Sequence, residues 1–210
     1  MEDITDKLSN LNIGKQKVLY YSIVFTYSDI MNLIRKTLFD SKESDNISGA
    51  YIKTSDSFEL FDGKASDDNK LNITNKYSTH IEKFKPDEKF IIYNDTLYTA
   101  NSEFHITTLF AGGKVHEKSA DMESQLKSKV LVKINKLAVS EKFITIGIES
   151  IKLEDGTDIF YYGNEVKHIT IGLNKTGKKV FPKDSYTALS DGKIYDLDHI
   201  VEGATSKVVQ

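Results

Sequence analysis

Two four-residue runs open on a histidine and place a threonine two positions later: His105-Ile106-Thr107-Thr108 and His168-Ile169-Thr170-Ile171. The 210-residue chain has only five histidines, and two of them open the same pattern. Both runs sit in apolar, β-forming stretches. In a strand, residues i and i+2 point to one side, ~6.5–7 Å apart. His105 and Thr107 therefore share a face, with Ile106 turned to the core. His168 and Thr170 repeat the arrangement, with Ile169 and Ile171 inward. Two such strands side by side would surround one phosphoryl group with two imidazoles and two hydroxyls. A neutral imidazole can deprotonate water or a ribose hydroxyl, while a protonated one gives its proton to the leaving oxygen. The hydroxyls can donate to non-bridging oxygens as charge develops. Nothing in this scheme requires a metal or a cofactor.

The strands and helices that carry these residues follow from the runs around them. Residues 1–16 are polar and aperiodic, and are expected as an N-terminal arm. Lys17 to Phe25 reads as a buried strand, followed after Tyr27-Ser28-Asp29 by helical spacing at Ile30, Leu33, Ile34 and Leu38. Residues 41–103 form a long segment of short strands, with a loop at 62–72 and a hairpin turn at Asn94-Asp95. Ser119 is expected to cap a helix running to about Ser128. Strict alternation then gives two strands, with Val130, Val132 and Ile134 on one face and Ile144, Ile146 and Ile148 on another. A short strand is expected at Ile159–Tyr162, a short helix near Ser185–Leu189 and a last strand near Lys193–Ile200, leaving 203–210 as a tail. The pattern is α+β with mostly antiparallel strands, in a single domain over 17–202.

Composition narrows the classes of function. There are no cysteines, so disulfides, thiolate nucleophiles and Cys-based zinc sites are excluded. Of 28 basic residues Arg35 is the only arginine, so phosphate recognition must lean on lysine, histidine, hydroxyls and backbone N–H groups. A net charge of −3 argues against a non-specific duplex DNA binder. The apolar run Val18–Phe25 is too short for a membrane span and the start is acidic, so an intracellular, cytoplasmic protein is expected. The glycine, P-loop and serine-elbow motifs of other nucleotide and hydrolase classes are absent.

The paired H-hydrophobic-T motifs resemble the signature of the 2H phosphoesterase superfamily. The segments EFHITTLFAGGK and NEVKHITIGLNKTGKKVFPKDSYTAL resemble, more narrowly, the cyclic phosphodiesterase domain of fungal-type tRNA ligases, with Pro182 and Ser185 in a Pro-x-x-Ser element. The resemblance implies a bilobed, pseudo-two-fold fold of two mostly antiparallel sheets with one motif strand per lobe. It implies His105 and His168 as an acid–base pair and Thr107 and Thr170 as phosphate-binding hydroxyls. Two departures stand out: Thr108 replaces an aliphatic residue, and segment 41–103 is long.

From Val166 to Lys183 the chain has five lysines (Lys167, Lys175, Lys178, Lys179 and Lys183) and no acidic residue, a local charge suited to a polyanion. Lys167, Lys183, Lys114 in a Gly-Gly-Lys turn, Ser185 and Tyr20, which could stack a base, complete the substrate-binding candidates. The expected partner is an RNA end, a short oligonucleotide or a cyclic nucleotide, hydrolysed as a 2′,3′-cyclic phosphate. A 2′,5′-linked or cyclic oligonucleotide messenger, as in viral or phage evasion of host signalling, and a non-catalytic nucleotide-binding module are the alternatives. Product isomer, the acid and base roles and oligomeric state are left open by the sequence.

Overall fold

In the computed structural model, which describes residues 17–63, 66–177 and 179–210, the alternating apolar runs become strands of one sheet. The expected N-terminal arm and Lys178 lie outside the described residues. Strand β1 (Val18–Val24) leads into α1 (Tyr27–Ile34), where the Thr26 hydroxyl donates to the Asp29 carboxylate at the first turn. Helix α1 buries Ile30, Met31, Leu33 and Ile34 and continues as a π-helical turn, Arg35–Phe39. Strands β2 (Gly49–Lys53) and β3 (Phe58–Gly63), helix α2 (Lys70–Ile81), and strands β4 (Lys89–Tyr93) and β5 (Thr96–Ala100) follow. Asn94 and Asp95 join β4 to β5 with φ of 43° and 63°, the two left-handed residues a type I′ hairpin needs.

Then come β6 (His105–Phe110), α3 (Ser119–Ser124), β7 (Lys129–Val139), β8 (Phe143–Leu153) and β9 (His168–Leu173). A 3-10 turn (Pro182–Thr187), α4 (Ala188–Asp191) and β10 (Lys193–Val209) complete the chain. The strands form a single hydrogen-bonded order, β3-β2-β4-β5-β9-β8-β7-β10-β1-β6, and every pairing is antiparallel.

The α+β character stands, but the expected two sheets are one. Two features join them. Strand β10 is long enough to pair with β7 through Ala204 and with β1 from Ala204 onward. Strand β5 adds to β9 at Thr99–Leu173 and Ala100–Gly172, attaching the 41–103 segment to the same sheet. Residues 203–210 are therefore no tail: Thr205 pairs with Ile23 and Lys207 with Tyr21. Three other expectations change. Helix α2 runs through part of the expected loop, because Ile73, Tyr77 and Ile81, four apart, pack on Tyr51, Phe90 and Leu97. Helix α3 stops at Ser124, short of the expected Ser128, and buries Met122. Residues 159–162 form no strand; a lone bridge joins Lys152 and Asp158.

Register shifts interrupt the ladders of β1, β7, β8 and β10, and such bulges increase local twist. The sheet curls accordingly, so that β6 and β9 come into contact although four strands separate them in the hydrogen-bonded order. Ile106, Ile169 and Ile171 lie in the main core with Val130, Val132, Ile134, Ile144 and Ile146. Their strands' alternate residues are left to face the gap between β6 and β9.

Candidate active site

That gap is a cavity of about 530 Å³ lined by His105 and Thr107 of β6 and by His168 and Thr170 of β9. Period-two alternation explains why all four reach it: each motif's isoleucine is fully buried on the opposite face, and that burial fixes the strand's rotation.

The two imidazoles differ in their surroundings. His168 Nδ1 lies 2.8 Å from the Val166 carbonyl, which can only accept, so Nδ1 carries the proton and Nε2 is left for the cavity. Burial pushes the His168 pKa down, and the Val166 hydrogen bond pushes it partly back. His105 is also pushed down, mainly by burial and further by neighbouring His168, against the negative charge of Glu103. The His105 Nδ1 is buried without a hydrogen-bond partner among the described residues. The His105 ring stacks on Tyr20, with centroids 5.4 Å apart and planes 21° apart. His168 has a looser aromatic neighbour in Tyr186, at 6.0 Å.

The hydroxyl of Thr170 lies 2.6 Å from that of the fully buried Ser185. Asn101 donates its amide to the Thr170 carbonyl at 2.8 Å and its backbone N–H to the Ile171 carbonyl at 3.0 Å. It thereby extends the β5–β9 ladder to the edge of the cavity.

A segment between β8 and β9 closes the cavity from the other side. The Tyr162 N–H donates to the Thr108 carbonyl at 2.7 Å, capping the open edge of β6. Gly163 sits so close that a Cβ there would lie 2.4 Å from the Thr107 carbonyl oxygen. Tyr161 donates to the Asn164 carbonyl at 3.0 Å, and burial pushes its phenol up to about 12. His116 also lines the cavity; the Lys118 N–H donates to its Nδ1 at 3.2 Å, so a neutral His116 carries its proton on Nε2.

The other sequence candidates separate into two groups. Lys183 lines the cavity, Ser185 stands behind Thr170 and Tyr20 behind His105. Lys167 is instead drawn over the Tyr161 ring, 5.2 Å from its centroid, and does not line the cavity. Lys114 is exposed, and its turn offers no phosphate cradle. The N–H groups of Gly112, Gly113 and Lys114 are spent on the carbonyls of Leu19, Val18 and Ala111.

Six further residues line the cavity that no sequence motif marks: Asn101, His116, Tyr161, Tyr162, Gly163 and Asn164. The first two lack any partner in a local pattern. The others form a Tyr-Tyr-Gly-Asn run just ahead of the second motif, and that proximity was the one available signal. Among the described residues, no group of three or more His, Asp or Glu side chains is arranged to hold a metal ion. No helix among them is long and apolar enough to cross a membrane.

No protein-family profile matches the chain, and no curated protein sequence matches it. Among solved structures, the chain is similar to that of a fungal RNA kinase, with a TM-score of 0.47 and 15% identity over 95% of this chain and 47% of that one. The chain thus spans about half the length of that protein.

Proposed function

We propose that this chain is a phosphodiesterase of the 2H type, hydrolysing 2′,3′-cyclic phosphate ends of RNA or short oligonucleotides. One observation carries the reading. Two His-x-Thr strands, separated by four others in the sheet order, turn their histidines and threonines into a single cavity.

The tautomer at His168 suits it to the role of general base in this reading. Its Nδ1–H is held by the Val166 carbonyl, so Nε2 has a lone pair for the attacking water, and the same carbonyl stabilises the imidazolium that results. His105 is then the general acid. Burial holds the His105 pKa down; the Glu103 charge and the stacked face of Tyr20 oppose this, and a bound phosphate anion favours the protonated form further. The water oxygen forms a bond to phosphorus as one ribose oxygen–phosphorus bond breaks. The water proton goes to His168 Nε2, and His105 Nε2–H gives its proton to the departing ribose oxygen. Thr107 and Thr170 donate to the non-bridging oxygens. Ser185 can donate to Thr170, and the Thr170 proton, which in the free protein points to the Pro182 carbonyl over a long 3.4 Å, can then turn to the phosphate.

The test is turnover, in excess chelator, of 2′,3′-cyclic mononucleotides, RNA with a cyclic-phosphate end, 2′,5′-linked oligoadenylate and cyclic dinucleotides, with product isomers resolved. Cleavage of a cyclic phosphate that persists in chelator and is lost in His105→Ala and His168→Ala is expected. Cleavage abolished by chelator, or binding without any cleavage, would overturn the reading.

A further inference from the structure

We infer that the rim of this cavity carries a second subsite, built from Tyr162 and Phe160, that stacks the base of a nucleotide adjoining the reacting phosphate. The inference rests on the proposed phosphodiesterase reading and extends it: the substrate is an oligonucleotide rather than a mononucleotide.

The two rings are parallel, 6° between planes and 6.5 Å between centroids, and both remain solvent-accessible, at 40% for Phe160 and 37% for Tyr162. Folding normally uses such rings to fill a core, yet here the segment is pinned so that they stay outside. The Tyr162 hydroxyl donates to Asp121 at 2.6 Å, its N–H to the Thr108 carbonyl at 2.7 Å, and the Phe160 N–H to Gln125 at 2.8 Å. Rings held in this way lose little entropy on binding. Tyr162 and Phe110, which is 70% exposed, both line the cavity that holds His105 and His168, so the stack is continuous with the proposed chemistry.

The charge around the rings selects the occupant. Lys118 lies over the Tyr162 ring at 5.5 Å, but Asp121 and Glu117 both act on the Tyr162 phenol. With these carboxylates against one cation, the platform suits the uncharged face of a base and not a phosphate. Base–aromatic stacking tolerates any base, so a preference for chain length without a strong sequence preference follows.

The experiment compares kcat/KM for adenosine 2′,3′-cyclic phosphate and for triadenylate ending in the same cyclic phosphate. Binding of uncleavable 2′-O-methyl triadenylate is measured in parallel. Wild type should prefer the trinucleotide by on the order of tenfold. Phe160→Ala should remove most of that preference and leave the mononucleotide rate unchanged, and Phe160→Tyr should restore it. Equal use of both substrates by wild type, or equal loss on both in a Phe160→Ala protein with unchanged melting temperature, would overturn the subsite while hydrolysis stands. If neither substrate is cleaved, Phe160-dependent binding of the 2′-O-methyl trinucleotide would support the subsite while the hydrolytic reading falls. Binding indifferent to Phe160 would overturn the subsite in that case too.

Discussion

Ser185 and Thr170 share a hydrogen bond of 2.6 Å between their hydroxyls, fifteen residues apart in sequence, with Ser185 fully buried beneath the cavity. The Ser185 carbonyl in turn accepts from the buried Thr145 hydroxyl at 2.9 Å, which fixes the 3-10 turn on β8. Ser185 is therefore a positioning residue for Thr170. Ser185→Ala should raise KM for a cyclic phosphate several-fold with a smaller effect on kcat, and cost about 1 kcal/mol of stability. In a double-mutant cycle, Ser185→Ala should add little to the KM effect of Thr170→Val. Fully additive effects would show that the two hydroxyls act separately.

Gly163 reports on the closing segment. A Cβ at this position meets backbone, 2.4 Å from the Thr107 carbonyl oxygen, and a carbonyl in a sheet edge cannot swing away as a side chain end does. Gly163→Ala should push the segment off β6, lower the melting temperature and reduce turnover on all substrates alike. Unchanged melting and turnover would mean that the segment is not held against β6 in solution.

The pH dependence has a definite sign. Both histidines sit below the ordinary value of 6.5, chiefly through burial. In the proposed mechanism the active form has His168 neutral and His105 protonated. A lowered His168 keeps its lone pair further into acid, and a lowered His105 loses its proton sooner as pH rises. Both limbs of the kcat/KM bell therefore shift to the acid side, and the optimum should lie below about pH 6.5. An optimum above about pH 7.5 would contradict these assignments.

The two exposed lysines should behave differently. Lys183 lines the cavity, whereas Lys114 stands outside it. Lys183→Gln should lower kcat/KM for an oligonucleotide and flatten its dependence on salt, because one cation facing the anion is removed. Lys114→Gln should leave both unchanged. Equal effects from the two changes would place substrate on a general electrostatic field and not in this cavity.

What was legible in the sequence was local. The alternation His-Ile-Thr sets which side chains share a face, and burial of Ile106 and Ile169 lets that face be read without knowing which strands neighbour one another. The Asn94-Asp95 turn was legible for the same reason, since its left-handed pair is a two-residue property. Everything that depends on long-range pairing was not. Whether β10 stops near Ile200 or runs on to Val209 is decided by the free edge of β1, which its own residues do not announce. The attachment of the 41–103 segment to the sheet depends on two paired positions between β5 and β9. His116, Asn101 and the Tyr161–Asn164 run enter the cavity because loops bring them there, and no periodicity marks a loop. Thr108, read as a departure from the aliphatic pattern, is fully buried with its hydroxyl unpartnered among the described residues. It fills the place of an aliphatic side chain at the cost of that hydroxyl's hydration.

In the proposed reaction His105 and His168 act on one phosphorus as a unit. The most direct measurement is kcat on a cyclic-phosphate-ended oligoribonucleotide for His105→Ala, His168→Ala and the double variant, each checked for an unchanged fold. Loss of one acid–base partner should lower kcat by roughly 10²–10⁴-fold. The double variant should fall little below either single one, because residues that act together are not additive. Single variants retaining wild-type turnover, or losses that simply multiply in the double variant, would contradict a shared acid–base site.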